Sequence, residues 1–388
     1  MRRSPLAVIF VTVFIDLVGF GIVIPVLPLY AERFGASPLV IGCLLGAYSL
    51  MQFIFAPILG KLSDRVGRRP VLLLSMIGTS IGFFLMGCAR TLWLLFIARI
   101  IDGVTGGNIS TAQAYIADVT PTHQRSRGMG LIGAAFGLGF IFGPALGGLL
   151  SRVSLAAPFF FAAALAAGNA VAVYFLLPES LSMEQRSRAR EHASIAQTFK
   201  ETKSWLLAAV MVTYFLTTMA FSLLTATYSL FTERRFGYGA TQNGYIFAAQ
   251  GVLGAVIQGA LLGWLLKVFT DKRLIVAGTL FLAVSLVVLP ISATVVMLLT
   301  ATAGIGIGHS LIAAPLNGLA SKQVSDTSQG RVLGLMQSSA SLARIIGPVL
   351  GGWLLGHDAG ALSIQFGRTP YWTSGAVMLV ALVLAATL

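Results

Sequence analysis

Apolar runs of about 20 residues, the length that crosses roughly 30 Å of hydrocarbon, follow one another along this 388-residue chain almost from end to end. With the Gly, Pro and charged breaks between runs as boundaries, the pattern predicts twelve helical spans near residues 5–30, 39–60, 71–89, 92–116, 128–151, 155–177, 205–230, 242–266, 273–291, 294–319, 331–356 and 370–388. The only long polar stretch, 178–203, contains Glu184-Gln185-Arg186-Ser187-Arg188-Ala189-Arg190-Glu191 and parts six spans from six. Mixed charge of this kind reads as a cytoplasmic linker, one form of which is an amphipathic helix along the membrane surface. The organisation that follows is an N-terminal six-helix half at 1–178, a linker at 179–204 and a C-terminal six-helix half at 205–388. Met-Arg-Arg and the apolar run after it imitate a signal peptide, but Asp16 interrupts the run and no small-residue cleavage site follows, so this segment is expected to be a retained first span. The last span runs to residue 388 with no polar tail, as a chain shortened at that end would.

Composition agrees, since 56% of the residues are hydrophobic and only 10% charged, too few polar groups to clothe a water-exposed surface. The fold class expected is all-α integral membrane. A formal net charge of +13 would point to nucleic acid in a soluble protein, but its distribution points elsewhere. With the first loop placed outside, Arg33, Arg90, Arg152, Arg234, Arg235 and Arg368 fall in outer segments, Arg99 and Arg344 fall within spans, and every other Lys and Arg falls inside. That asymmetry puts both termini in the cytoplasm for an even number of spans and removes nucleic acid as a partner. Cys43 and Cys88 lie in apolar stretches without metal-ligand spacing, so neither a disulfide framework nor a metal site is expected, and no cofactor.

The two halves repeat each other. Gly143-Pro144-Ala145-Leu146-Gly147-Gly148 recurs as Gly347-Pro348-Val349-Leu350-Gly351-Gly352, an offset of 204, and Arg33-Phe34-Gly35 recurs as Arg235-Phe236-Gly237, an offset of 202. Matching offsets at distant places argue for duplication of a six-span unit, and parallel halves with a path at their interface near the midplane are one transporter architecture.

Between the second and third predicted spans stands Gly60-Lys61-Leu62-Ser63-Asp64-Arg65-Val66-Gly67-Arg68-Arg69-Pro70. A merely basic inner loop accounts for its arginines but not for the Gly, Asp, Gly and Pro punctuation. The stretch resembles the signature loop of the major facilitator superfamily, and the resemblance implies the major facilitator fold, two pseudo-symmetric six-helix halves working by alternating access. Gly60, Asp64, Arg65, Gly67, Arg68 and Arg69 become candidates for a conformational latch, Gly60 permitting close helix approach and Asp64 pairing with arginines or facing a helix N-terminus. In the second half, Gly263-Trp264-Leu265-Leu266-Lys267-Val268-Phe269-Thr270-Asp271-Lys272 has Lys267 where the first half has Asp64, so the second latch is expected to be degenerate.

The fifth predicted span is rich in glycine from Gly133 through Gly137 to Gly148. Small residues are the ordinary means by which membrane helices approach. The Gly-Pro pair here also resembles the superfamily's antiporter motif, on Gly139, Gly143, Pro144, Gly147 and Gly148, which implies export in exchange for protons; the eleventh-span copy marks part of the signal as duplicated packing. Charges at membrane depth cost at least about 2.5 to 3.5 kcal/mol on insertion scales, so Arg99 and Asp102, in Arg99-Ile100-Ile101-Asp102-Gly103, should face protein or water. They are either a structural pair on one helix face or, as the similar superfamily motif implies, a proton-transfer unit.

Asp16, in Asp16-Leu17-Val18-Gly19-Phe20-Gly21-Ile22-Val23-Ile24-Pro25-Val26-Leu27-Pro28, lies in a context that closely resembles the first span of tetracycline/proton antiporters, members of the drug/proton antiporter branch. A carboxyl there is a candidate proton carrier, or else a hydrogen-bonding peg within the first half. The likeness extends through Ala47-Tyr48-Ser49-Leu50-Met51-Gln52-Phe53-Ile54-Phe55-Ala56-Pro57, Pro70-Val71-Leu72-Leu73-Leu74-Ser75 and Ala134-Ala135-Phe136-Gly137-Leu138-Gly139, and more loosely through Pro315-Leu316-Asn317-Gly318-Leu319-Ala320. Three departures stand against carrying tetracycline over as the substrate. The third span, with Gly78-Thr79-Ser80-Ile81-Gly82-Phe83-Phe84, and the ninth lack the acidic residues of those antiporters, and Val256-Ile257-Gln258 fills the region of their eighth-span histidine. A lipophilic, zwitterionic or anionic compound suits Arg344 in the eleventh span better, though Arg344 can equally bond a facing carbonyl.

Spans one, four, seven and ten line the path in this fold, which offers Asn108, Gln113, Tyr115, Tyr214, Tyr228, His309 and Asn317, together with Arg344, as substrate-cavity candidates. The expected function is secondary active transport: proton-coupled efflux of an amphipathic small molecule or drug. Substrate, protons and the lipid bilayer are its partners, the chain acts as a monomer, and its location is a bacterial inner membrane. A facilitator or proton symporter for a metabolite, siderophore or lipid is the alternative in the same fold. An enzyme is not expected, because nucleophile–base, metal-ligand and phosphate-loop spacings are lacking. A channel would need paired pore loops with repeated carbonyl-rich or charged rings.

Overall fold

The structure, a computed structural model, describes residues 5–121, 125–181, 205–322 and 329–388. The linker expectation for 182–204, with its amphipathic helix, lies outside the described residues. These residues form helices α1 Pro5–Glu32, α2 Pro38–Val66, α3 Arg68–Gly87, α4 Leu92–Val119, α5 Arg125–Leu150, α6 Ala157–Leu176, α7 Trp205–Phe236, α8 Ala240–Val268, α9 Asp271–Ile291, α10 Val295–Lys322, α11 Gln329–His357 and α12 Arg368–Thr387. All twelve are long and apolar enough to cross a membrane, and no strand occurs among the described residues. Helices α2, α7 and α10 outlast their apolar runs. Hydropathy marks the slab in which water cannot satisfy the backbone, whereas the helix itself continues into polar sequence.

Two helices are irregular. α4 is interrupted at Gly106-Gly107, between Leu92–Thr105 and Asn108–Val119, and α8 contains a π-helical turn at Ile257–Leu261.

The chain divides into two compact units, one of Met1–Gly35, Ala47–His192 and Ala240–Ala248, the other of Ala36–Gly46, Ala193–Gly239 and Ala249–Leu388. In the first, α1 packs on α5 and α6 while α3 packs on α4 and α6; in the second, α7 packs on α11 and α12 while α9 packs on α10 and α12. These pairings correspond helix for helix under the sequence offset, as duplication requires.

Glycines set the closest approaches. A Cβ on Gly143 would lie 2.7 Å from Gly21 Cα, and one on Gly139 2.5 Å from Leu17 Cβ, so α5 and α1 meet nearly backbone to backbone. In the second unit a Cβ on Gly347 would lie 2.7 Å from Met219 O, the same contact between α11 and α7. The last glycine of each run faces elsewhere. Gly148 meets Gly244 at the start of α8, and Gly352 meets Pro38 at the start of α2. Gly244 also abuts Pro144 O, as Gly42 abuts Pro348 O. This is why 240–248 belongs to the first unit and 36–46 to the second.

Gly143→Ala must overpack the α1–α5 contact, which typically costs about 1–3 kcal/mol. Gly137→Ala, with open space at its Cβ position, should not. Thermal unfolding of the purified variants in detergent checks this: the Gly143 variant should melt several degrees below the Gly137 variant, and equal melting would refute the packing account.

Candidate functional site

The break in α4 organises a charge cluster within the first unit. Two consecutive glycines are poor helix formers, and α2 presses against them. A Cβ on Gly103 would lie 2.6 Å from Tyr48 O, and one on Gly107 2.8 Å from Ala56 Cα. One turn before the break, Arg99 and Asp102 are 2% and 4% exposed, with Nη1 and Oδ2 3.1 Å apart. The guanidinium also lies over the Tyr48 ring, 4.3 Å from its centroid, a cation–π contact that counts for more when desolvated. Gln52 holds Tyr48 in place, donating from Nε2 to Tyr48 Oη at 3.2 Å and to Gly106 O at 2.9 Å. Even so, Arg99 Nε has no hydrogen-bond partner.

Asp16 on α1 is half-buried and faces this cluster, interacting electrostatically with Asp102 and Asn108. Asn108 opens the second part of α4. It is 2% exposed, and neither its Nδ2 nor its Oδ1 has a hydrogen-bond partner. Leu17, the residue after Asp16, is the one against which Gly139 packs, so the glycine motif of α5 fixes the turn of α1 that carries the carboxyl. Two carboxylates thus act on each other while only one of them, Asp102, is paired with the guanidinium, and at formal charges the cluster is one positive charge short of neutrality.

The second constellation joins α2, α3, α4 and the segment after α6. A single residue, Gly67, separates α2 from α3, at φ +112°, a conformation that favours glycine. Asp64 Oδ1 lies 2.5 Å from Arg68 Nη1, and Arg68 Nε lies 3.2 Å from Asp118 Oδ2. Arg68 Nη1 also donates to Ser63 Oγ at 2.7 Å. Glu179 covers the N-terminus of α3, accepting from Arg68 N at 2.9 Å and Arg69 N at 3.2 Å; a carboxylate there satisfies orphan N–H groups at the positive end of the helix dipole. Arg69 bonds Tyr174 O and lies over the Tyr174 ring. Arg65 is exposed. The close approach expected at Gly60 is not made, since its Cβ would meet only Ser110 Oγ at 4.0 Å; α2 comes close to α4 further up, at Gly103 and Gly107.

Beside the Lys267 replacement, the second unit keeps one ion pair of this constellation. Lys322 Nζ and Asp271 Oδ2 are 2.5 Å apart, and the offsets of 203 and 204 match Asp271 to Arg68 and Lys322 to Asp118. The bridge is kept with its polarity reversed, which a comparison at the Asp64 position alone does not reveal.

The cavity candidates separate into several environments. Asn108 belongs to the charge cluster. Tyr115 lies in a packed core with Val8, Ile9, Leu72 and Ile116 and donates to Pro178 O at 2.8 Å. Tyr228 is 1% exposed, its Oη 2.8 Å from Thr302 Oγ1. Both tyrosines are therefore packing groups rather than accessible cavity walls. His309 is partly buried and stacks on Phe221 at 4.1 Å. Asn317 bonds Ala313 O within its own helix and Arg344 bonds Ser341 Oγ. Tyr214 is half-buried and Gln113 exposed. Sequence reasoning missed Tyr48, Gln52, Asp118 and Glu179. Of these only Glu179 carries a local signal, an acid directly after the proline that ends the sixth apolar run.

Comparison with known proteins bears on the same features. The family model of the Major Facilitator Superfamily matches residues 9–269 and 210–388. The class C tetracycline resistance protein of Escherichia coli is 38% identical over 90% of this chain and 89% of its own length. Multidrug resistance protein 2 of Bacillus subtilis (strain 168) is 30% identical over 98% of this chain and 94% of its own. Among solved structures, a bacterial homolog to the human lysosomal transporter Spinster, in an inward-facing and occupied conformation, superposes with a TM-score of 0.84 at 14% identity, covering 99% of this chain and 97% of that one. That likeness concerns fold; the identities of the first two concern descent. A charged turn between α2 and α3, a glycine-rich fifth helix and a duplicated twelve-helix architecture on a chain matched nearly end to end lead to one conclusion: this chain belongs to the Major Facilitator Superfamily and is a multi-pass membrane transporter.

Proposed function

We propose that the protein exports an amphipathic small molecule in exchange for protons, with the Asp16, Asp102, Arg99 and Asn108 cluster as its coupling site. The relatives named for tetracycline resistance and multidrug resistance support efflux of drug-like compounds. The observation that carries the coupling is the charge imbalance: Asp16 acts on Asp102, and the one buried guanidinium pairs with Asp102. An uncompensated charge at membrane depth is costly. It is relieved by a proton, or by a cationic or hydrogen-bonding group of the substrate that also satisfies Asn108. Proton and substrate then compete for one excess charge, which couples their movements in opposite directions as the two states alternate. Asp16, half-buried, is the exchangeable group. Arg99 and Asp102, fully enclosed, hold the field in which it works.

The latch role falls to Asp64, Arg68 and Asp118, with Gly67 making the turn and Glu179 and Arg69 tying α3 to the end of α6. The basic loops support a bacterial inner membrane with both termini in the cytoplasm, and a monomer suffices because the coupling cluster is complete within one chain.

Two experiments test this reading. In inverted vesicles under an imposed pH gradient, a panel of lipophilic drugs including tetracycline should trigger proton release through the wild-type protein. Asp16→Asn should abolish that release while eluting as a monodisperse species, and wild-type pH dependence in that variant would remove Asp16 from coupling. For the latch, Arg68→Ala leaves Asp64 and Asp118 as facing like charges, and Asp118→Ala in the same chain should recover part of the lost transport and stability. A coupling of about 0.5–3 kcal/mol is expected in the double-mutant cycle for melting; additive effects would show that the pair does not act together.

A further inference from the structure

At the end of the second unit where α7 terminates, two guanidinium groups act on each other electrostatically, Arg235 near the end of α7 and Arg368 at the start of α12. Neither forms an ion pair with a carboxylate among the described residues. Arg235 donates from Nε to Ser292 O at 3.1 Å and from Nη1 to Ser363 O at 3.2 Å, bonds that do not engage Nη2. Arg368 lies over the Trp372 ring at 5.4 Å, and its Nε is buried without a hydrogen-bond partner. The acid of the adjoining loop, Asp358, is committed elsewhere, accepting from Gly367 N and Thr369 N at 3.0 Å each and from Thr369 Oγ1. Two adjacent guanidinium groups with unused donors call for an anion with several oxygen acceptors, and planar guanidinium forks match phosphate.

The same end of the unit holds an open, mainly apolar groove of about 410 Å³ between α9 and α10, lined by Val284, Val288, Val296 and Met297 with Ser285 and Thr294. Thr294 is two residues from Ser292, whose carbonyl holds Arg235. Trp372, beneath Arg368, donates from Nε1 to Val287 O on α9. Val296 is 74% exposed on a membrane-spanning helix, and Leu362 and Ile364 expose apolar side chains in the loop beside the arginines. Positive charge at the mouth of an apolar groove fits a ligand with an anionic head and an aliphatic tail.

We infer that the second unit binds an anionic phospholipid of the surrounding leaflet, its phosphate held by Arg235 and Arg368 and one acyl chain lying in the α9–α10 groove. The site is separate from the coupling cluster, all of which lies in the first unit, so it stands or falls independently of the export reading.

The test is native mass spectrometry of the full chain exchanged into mixed micelles of phosphatidylglycerol and phosphatidylcholine. The wild type should retain phosphatidylglycerol selectively, and Arg235→Ala with Arg368→Ala should weaken that retention about tenfold, as loss of charge-assisted hydrogen bonds would. Arg368→Gln alone and Val288→Trp, which fills the groove but keeps both arginines, provide variants less exposed to misfolding; each should lower retention with an unchanged melting transition in phosphatidylcholine. Equal retention of the two lipids by the wild type, or undiminished selectivity in these variants, would overturn the proposal. Displacement of the lipid by glycerol phosphate at equal concentration would overturn the acyl-chain part and leave a free phosphate site.

Discussion

Lipid tails are as apolar as leucine, so membrane helices gain nothing from hiding hydrophobic side chains against one another. Close backbone approach is what holds them, and in this protein that approach depends on where glycine is placed. The α1–α5 contact at Gly21 and Gly143 and the α7–α11 contact at Gly347 are the same joint made twice. The α2–α4 contact at Gly103 and Gly107 is a third, made in the first unit with a broken helix. Each brings main chain to main chain, so a single added methyl group has nowhere to go.

The buried chemistry follows from that packing. Arg99 can be enclosed because Tyr48 lies against it, and Tyr48 lies there because Gly103 admits the α2 backbone. Asp102 fits against α3 because a Cβ on Gly82 would stand 2.9 Å from its own Cβ. A charge pair in such a place is seldom a net source of stability, and its unmatched Nε deepens the deficit. A fold meant only to stand would have put apolar residues there. Under the proposed coupling, the deficit is what a proton or a substrate group would relieve, since a ligand shifts an equilibrium only by its differential interaction with the states.

The twelve spans, the repeat and the turn between α2 and α3 were legible because each rests on a pattern local in sequence: hydropathy, a repeated string, a turn punctuated by glycine. The helix ends were not, since hydropathy stops where the hydrocarbon does while α7 runs on to Phe236. Asp16, Arg99 and Asp102 stood out because charge within an apolar run is conspicuous. Tyr48, Gln52 and Asp118 did not, because an aromatic, an amide or an acid near a span end is unremarkable until folding brings Tyr48 and Asp118 against guanidinium groups and Gln52 against Tyr48. Tyr115 and Tyr228 differ the other way: they were expected at a cavity, but their hydroxyls bond Pro178 O and Thr302 within packed interiors, and no sequence pattern says which way a tyrosine turns.

The repeat of the glycine-proline motif in α11 raises the question whether the motif in α5 means anything beyond packing. The contacts answer it. In both units the glycines seat the first helix of the half against its fifth, so the joint itself is the shared inheritance. What differs is the cargo of the seated helix. Gly139 packs on Leu17, beside Asp16, whereas the contacts of Gly347 and Gly351 on α7 are Met219, Ser222, Leu223 and Thr227, with no acid among them. The same rigid joint therefore positions a titratable carboxyl in one half and only apolar and hydroxyl groups in the other. Duplication copied the mechanics, and the two halves differ in whether the joint carries a charge.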